Sequence, residues 1–243
     1  MMPVTTKDGI LKVLRGFNPW WVSGTVSPVF QKNYKRFAYY EAMKRMQGGI
    51  RRMVVITGAR RVGKTTIEYQ MINSLLEQGV PAQQIVFISL DHPMLKLAGM
   101  DDILECYHEN VYAGQDVYYF FDEIQYATDW ASWLKTIYDT QPETSVVATG
   151  SASLALVRGS TESGAGRWTV IQVPTLSFYE YCALIGLPDL GLSPSLKPTQ
   201  LLRLTQQERG QLMNKLVAVQ NHFTRYLQVG GFPELALAKD DFL

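Results

Sequence analysis

The clearest chemistry lies in Gly58-Ala59-Arg60-Arg61-Val62-Gly63-Lys64-Thr65-Thr66, a G-x-x-x-x-G-K-T run, the Walker A pattern. Gly58 and Gly63 permit a tight turn that aims several backbone N–H groups inward, as a phosphate cradle requires. Lys64 is long enough to reach β- and γ-phosphates, and the Thr65 hydroxyl can ligate Mg²⁺. The loop residues Ala59, Arg60, Arg61, Val62 and Thr66 complete the expected nucleotide contact. Residues 52–57 (Arg-Met-Val-Val-Ile-Thr) form a short β-branched run, as a buried strand would. Over 65–78, Ile67, Met71, Ile72, Leu75 and Leu76 fall on one helical face. The loop therefore opens a helix whose N-terminus favours anionic phosphate.

The second chemical signal is Val117-Tyr118-Tyr119-Phe120-Phe121-Asp122-Glu123, a continuous apolar strand ending in two acids, the Walker B form. Asp122 is expected to hold the Mg²⁺ shell with Thr65. Glu123 is expected to orient and polarise the water that attacks a γ-phosphate. Residues 145–151 read as another strand ending in hydroxyls. Thr149 and Ser151 are candidates to sense the γ-phosphate or the attacking water; Ser151 and Ser153 could equally cap a helix beginning near Ser153. Arg167 follows a Gly/Ser-rich loop over 158–166 and precedes a strand over 168–173. It is a candidate arginine finger or a surface ion-pair partner. Asp91, just past the strand 85–90, either joins the site or caps the next turn. His92, beside Pro93, reads as a loop residue.

The elements that must position these groups alternate strand and helix, which implies an α/β domain with a parallel sheet. Helices are expected over 34–46, 101–112, 130–140 (capped by Asp129) and 176–186. The 101–112 helix turns Ile103, Leu104, Tyr107 and Val111 inward, and the 130–140 helix turns in Trp133, Leu134, Ile137 and Tyr138. Asn18-Pro19-Trp20-Trp21 reads as a hydrophobic anchor or a partner-docking patch. Pro188, Pro194 and Pro198 mark a linker. Thr205-x-x-Glu208 is a capping-box signature for a helix running to Gln228. The expected divisions are an N-terminal extension over 1–50, the nucleotide-binding core over 51–174 and a small helical subdomain over 175–243. The ending Asp240-Asp241-Phe242-Leu243 has no evident terminal element, so a fragment of a longer polypeptide is expected.

Composition bounds the rest. The chain has 243 residues and is 47% hydrophobic, enough for a proper core. With 23 Lys+Arg against 22 Asp+Glu its net charge is +1, which argues against wholesale nucleic-acid binding. Cys106 and Cys182 fit no metal spacing and read as reduced thiols in a cytoplasmic protein. No apolar run approaches the ~20 residues of a membrane helix. One local excess stands out: Lys44, Arg45, Arg51, Arg52, Arg60, Arg61 and Lys64 occur with no acid between Glu41 and Glu68. Beyond the phosphate-facing members, this run is either a solvated face or a nucleic-acid contact.

With these residues in view, the chain resembles the prokaryotic AAA+-superfamily P-loop ATPases of the archaeal-ATPase and STAND-like branch. In that group an AAA domain is followed by a C-terminal domain of unknown function. The resemblance rests on Pro19-Trp20-Trp21, the Gly58–Thr66 loop, Asp122-Glu123, Thr149-Gly150-Ser151 and Gly166-Arg167. It extends to Leu176-Ser177-Phe178-Tyr179-Glu180 and Gly230-Gly231-Phe232-Pro233-Glu234. It implies a three-layer αβα fold with sheet order 5-1-4-3-2, a strand lying between those that carry the two Walker motifs, and a small helical subdomain. It also implies that Pro233 contacts adenine, an element otherwise read as a helix-ending turn. ATP and Mg²⁺ are the implied ligands. Three functions follow as expectations: a Mg²⁺-dependent ATPase acting as switch or motor, a regulatory nucleotide-binding module with little turnover, or a DNA-associated ATPase. Homo-oligomers and protein partners are compatible with each.

Overall fold

The computed structural model describes residues 6–151, 166–187 and 198–238, with Ser151 and Pro198 described by backbone alone. The expected Ser153 helix, the loop over 158–165, Pro188, Pro194 and the terminal 240–243 lie outside the described residues. The chain divides into two compact units, Met1–Val173 and Pro174–Leu243.

Five parallel strands build the first unit: β1 (Met53–Gly58), β2 (Ile85–Ser89), β3 (Tyr118–Asp122), β4 (Ser145–Ser151) and β5 (Trp168–Val173). Their order is β2-β3-β4-β1-β5, the order the resemblance implied. β1 and β2 are buried along their whole length, as strands covered on both faces must be. Helices supply the cover: α1 (Lys7–Phe17), a short α2 (Trp20–Ser23), α3 (Phe37–Met46), α4 (Lys64–Glu77), α5 (Pro93–Leu97), α6 (Met100–Asn110) and α7 (Trp130–Thr140). Ile10 and Leu14 of α1 join Val86, Ile88, Tyr107 and Phe121 in one core cluster.

Residues 6–50 fall within this unit. They also finish its edge. β2 is an edge strand, with N–H and C=O groups that no neighbour strand receives. Asn18 takes their place: its Nδ2 donates to the Phe87 carbonyl at 2.8 Å and its Oδ1 accepts from the Phe87 N–H at 2.6 Å. Both indole N–H groups of Trp20 and Trp21 donate to the Ile85 carbonyl, at 3.0 and 2.8 Å. Trp20 is fully buried, so this pair is an anchor.

Two boundaries depart from expectation for identifiable reasons. The helix expected from residue 34 begins at Phe37, because Gln70 Nε2 takes the Lys32 and Tyr34 carbonyls at 2.7 and 2.8 Å and holds that segment extended along α4. Asp129 stands at the N-cap of α7, but in a left-handed conformation (φ 52°) with no side-chain capping bond.

In the second unit the described helices are α8 (Phe178–Leu184), α9 (Pro198–Leu201), α10 (Gln206–Val229) and α11 (Pro233–Leu237). Ser177–Glu180 and Thr205–Glu208 both form complete capping boxes. Leu176, Tyr181, Cys182 and Ala236 form the small core. Both cysteines are buried and free. Among the described residues no helix is long and apolar enough to cross a membrane.

Candidate functional site

The site begins where β1 ends. The parallel register sets Gly58 level with Ser151 of β4 and Val173 of β5. A side chain at Gly58 would run into the Val173 carbonyl, so the close approach of β5 admits only glycine. The chain then turns through Arg61 (φ 65°) and Gly63 (φ 96°), both left-handed. Gly63 is the N-cap of α4 and offers no side chain to the first-turn N–H groups. Those donors have no intrahelical acceptor and form an anion-accepting nest. Lys64 is buried, and its Nζ donates to the Gly58 and Ala59 carbonyls at 3.2 and 3.0 Å. The ammonium is therefore folded into the loop. Ala59, Arg60 and Arg61 are exposed, Val62 is buried, and Thr66 is half-buried.

β4 lies between β1 and β3, which separates the two motif-bearing strands by two strand spacings, ~10 Å. Side chains bridge that gap. Thr65 Oγ1, in the first turn of α4, donates toward the Asp122 carboxylate at 3.1 and 3.2 Å. From the intervening strand, the fully buried Thr149 donates Oγ1–H to Asp122 Oδ1 at 2.5 Å. The same Oγ1 accepts the Glu123 N–H at 3.1 Å. Burial pushes the Asp122 carboxyl up, opposed by the hydrogen bonds from Thr149 and Thr65 and assisted by the neighbouring Glu123 charge. Glu123 ends the strand in a left-handed conformation (φ 55°), and Gln125 Nε2 donates to its Oε2. Asp91 accepts from Ser89 Oγ at 2.6 Å on the adjacent strand end and adds negative charge near Asp122.

Comparison with known proteins gives these residues a family. A family profile described as "AAA domain" matches residues 50–182, over half of the chain. The chain belongs to the AAA domain family. An uncharacterized protein of Haemophilus influenzae is 25% identical over 76% of this chain and 40% of its own length. Two uncharacterized proteins of Methanocaldococcus jannaschii, MJ1637 and MJ1544, are 29% and 23% identical; they cover 52% and 77% of this chain and 28% and 37% of their own lengths. The chain therefore spans two fifths or less of these relatives. Among solved structures, the closed state of Hsp104 with ATPγS and FITC casein superposes with a TM-score of 0.51. That match covers 91% of this chain and 39% of Hsp104 at 17% identity, a likeness of fold.

Within this AAA domain, Thr65 and Asp122 are hard oxygen donors facing one another, which suits Mg²⁺. Among the described residues no three His, Cys, Asp or Glu side chains converge on a metal position. Protein oxygens would supply only part of an octahedron, the usual arrangement when phosphates and water fill the rest. Thr149, a candidate to sense the γ-phosphate or the attacking water, has its hydroxyl on Asp122 and on the Glu123 N–H. Ser151 closes β4 beside Gly58, and its side chain is outside the described residues.

Arg167, a candidate finger or ion-pair partner, stands away from the phosphate loop of its own unit. Trp168 pairs with Met53, the first residue of β1, whereas the phosphate loop follows the last. Arg167 therefore stands at the opposite edge of the sheet, ~17 Å of strand away. There its Nε and Nη2 donate to Asp139 Oδ1 and Oδ2 at 3.1 and 3.3 Å. The basic run is likewise broken up. Arg51 donates to the Tyr138 and Gln141 carbonyls at the end of α7, at 2.5 and 2.6 Å, and lies over the Tyr138 ring. Arg45 pairs with Glu41. Pro233 opens α11 in the second unit. Its neighbour Gly231 lies where a Cβ would meet Leu176 backbone atoms at 2.6 and 2.8 Å. The Gly231-Phe232-Pro233 turn therefore has a packing reason of its own.

Sequence reading missed Glu68. It is fully buried on α4, beside the Asp122 carboxyl. Burial, then the adjacent Asp122 and Glu123 charges, push its carboxyl well above the usual range, with Lys64 opposing. The signal was available: Glu68 directly follows the inward Ile67 on a helix whose buried surface also takes in Tyr69 and Gln70.

Proposed function

We propose that this domain binds Mg²⁺-ATP and hydrolyses the β–γ phosphoanhydride, using nucleotide state as a conformational switch or motor. The observation that carries this reading is the hydrogen-bonded chain Thr65–Asp122–Thr149–Glu123 beside the buried Lys64. One strand end offers amides and an ammonium to phosphate, and the next but one offers carboxylates to metal and water. Lys64 would leave the loop carbonyls for the β- and γ-phosphates. Thr65 and Asp122 would hold the metal, which supplies charge neutralisation across the phosphate oxygens. Glu123 would take the proton of the attacking water as its oxygen bonds to the γ-phosphorus and ADP departs. Positioning and electrostatics then account for most of the catalysis. The test is phosphate release and Mg²⁺-ATP binding by wild type and Glu123→Gln. Loss of turnover with retained binding is expected; equal turnover in the two overturns the assignment.

A second reading has its own observation. Gln125 holds the Glu123 carboxylate, and a base so engaged is not directed at water. In that case the domain is a STAND-like regulatory module with little intrinsic turnover. Tight ATP binding with negligible phosphate release, raised by Gln125→Ala, would identify it.

A further inference from the structure

Arg36 lies outside every motif named above, 22 residues before the loop begins at Gly58, yet it reaches the loop. It is buried, at 6% exposure, and its Nη1 donates to the Val62 carbonyl at 2.9 Å. Burying a guanidinium is costly unless its donors are satisfied, so this placement is held in position by the surrounding structure. The segment around it is clamped to α4. Gln70 takes the Lys32 and Tyr34 carbonyls, Lys35 Nζ reaches Ser74 Oγ at 3.2 Å, and Tyr39 and Ser74 share a 2.7 Å hydroxyl contact.

The bond to Val62 has a geometric consequence for phosphate binding. A trans peptide plane holds its C=O and N–H antiparallel. A guanidinium that fixes the Val62 carbonyl on one side therefore fixes the Gly63 N–H on the other, directed away from Arg36. Gly63 has the freest backbone of the loop, with no side chain to lock the peptide. We propose that Arg36 is a positioning residue for nucleotide binding: it sets the Val62–Gly63 peptide so that the phosphate nest is formed before ligand arrives. The same bond links the segment over 32–39 to the occupancy of the loop.

This inference rests on the nucleotide-binding reading, and one titration series separates the two. Wild type, Arg36→Met and Arg36→Lys are titrated with Mg²⁺-ATP by calorimetry, and KM and kcat are measured wherever turnover is detectable. Failure of folded wild type to bind overturns both readings. If wild type binds, Arg36→Met should raise Kd and KM about tenfold while kcat stays within about twofold. Arg36→Lys, which keeps a donor, should recover most of that loss. An unchanged Kd in Arg36→Met overturns the proposal, and so does a fall in kcat without a change in Kd. Should Arg36→Met not fold, hydrogen exchange on wild type decides. Amides over 36–40 should exchange more slowly with Mg²⁺-ATP present, and no change there overturns the coupling.

Discussion

The two ends of β1 carry the same kind of residue and use it in opposite ways. Before the strand, Arg51 sits half-buried with its guanidinium on the Tyr138 and Gln141 carbonyls and its face on the Tyr138 ring. At the same edge Arg167 pairs with Asp139. Arg51 thereby completes the C-terminal end of α7, whose last carbonyls have no helical partner. After the strand, Lys64 is buried in a loop of its own backbone, beside amides that have no helical acceptor and in the same site as Asp122, whose carboxyl burial pushes up. A parallel sheet produces this asymmetry. Chains leave every strand at one edge, and loops free to shape a ligand site collect there. The other edge is where helices end and need capping. A basic residue at the first edge is available for a ligand, and one at the second is structural.

Substitutions at the two edges should separate cleanly. The largest effect is expected at the loop edge: Glu123→Gln should lower phosphate release at least ~100-fold with Mg²⁺-ATP affinity retained. Next, Lys64→Met should weaken Mg²⁺-ATP binding about a hundredfold, measured by calorimetry, with melting temperature nearly unchanged. At the far edge the pattern should invert. Arg51→Ala should leave nucleotide affinity alone but remove two charge-assisted bonds, destabilising by ~2 kcal/mol, or about 4–8 °C in Tm. If Arg51→Ala instead weakens ATP binding at constant Tm, the division of labour between the edges is wrong.

The smallest expected effect concerns Glu68 and pH. Burial first, then the neighbouring Asp122, raises its folded pKa well above the usual carboxylate range. Between its unfolded and folded pKa values the folded chain holds the extra proton, so stability falls as pH rises. Asp122, also raised, adds the same sign. Melting temperatures taken at about pH 5.5 and about pH 8 should therefore drop more in wild type than in Glu68→Gln. Equal slopes would mean that the Glu68 carboxyl is compensated in solution.

The loop and the acid pair were legible because their chemistry depends on local spacing: glycines at fixed offsets, a lysine one residue on, acids at the end of an apolar run. Strand β4 and its Thr149 were legible as a strand end with a hydroxyl. Its hydrogen bonds to Asp122 and Glu123 were not, since they depend on which strands are neighbours. Arg167 shows the same limit more sharply. Its position after a Gly/Ser-rich loop suggested a finger or an ion-pair partner, and strand register sets the next residue, Trp168, level with Met53, at the edge away from the phosphate loop. Glu68 was hidden because helical periodicity marks one apolar stripe, whereas α4 is buried on more than one face.

Local order alone therefore determined that this chain has a Walker A loop, a carboxylate pair closing an apolar strand and an alternating α/β core. Each is written within a few consecutive residues and needs no distant partner. Tertiary structure decided which charges belong to the site. It removed Arg51 to a helix end, brought Arg36 from before the sheet onto the Val62 carbonyl, and set Thr149 between the two motif strands. Those placements depend on which strands are neighbours and where each begins, a property of the assembled sheet that no single stretch of chain encodes.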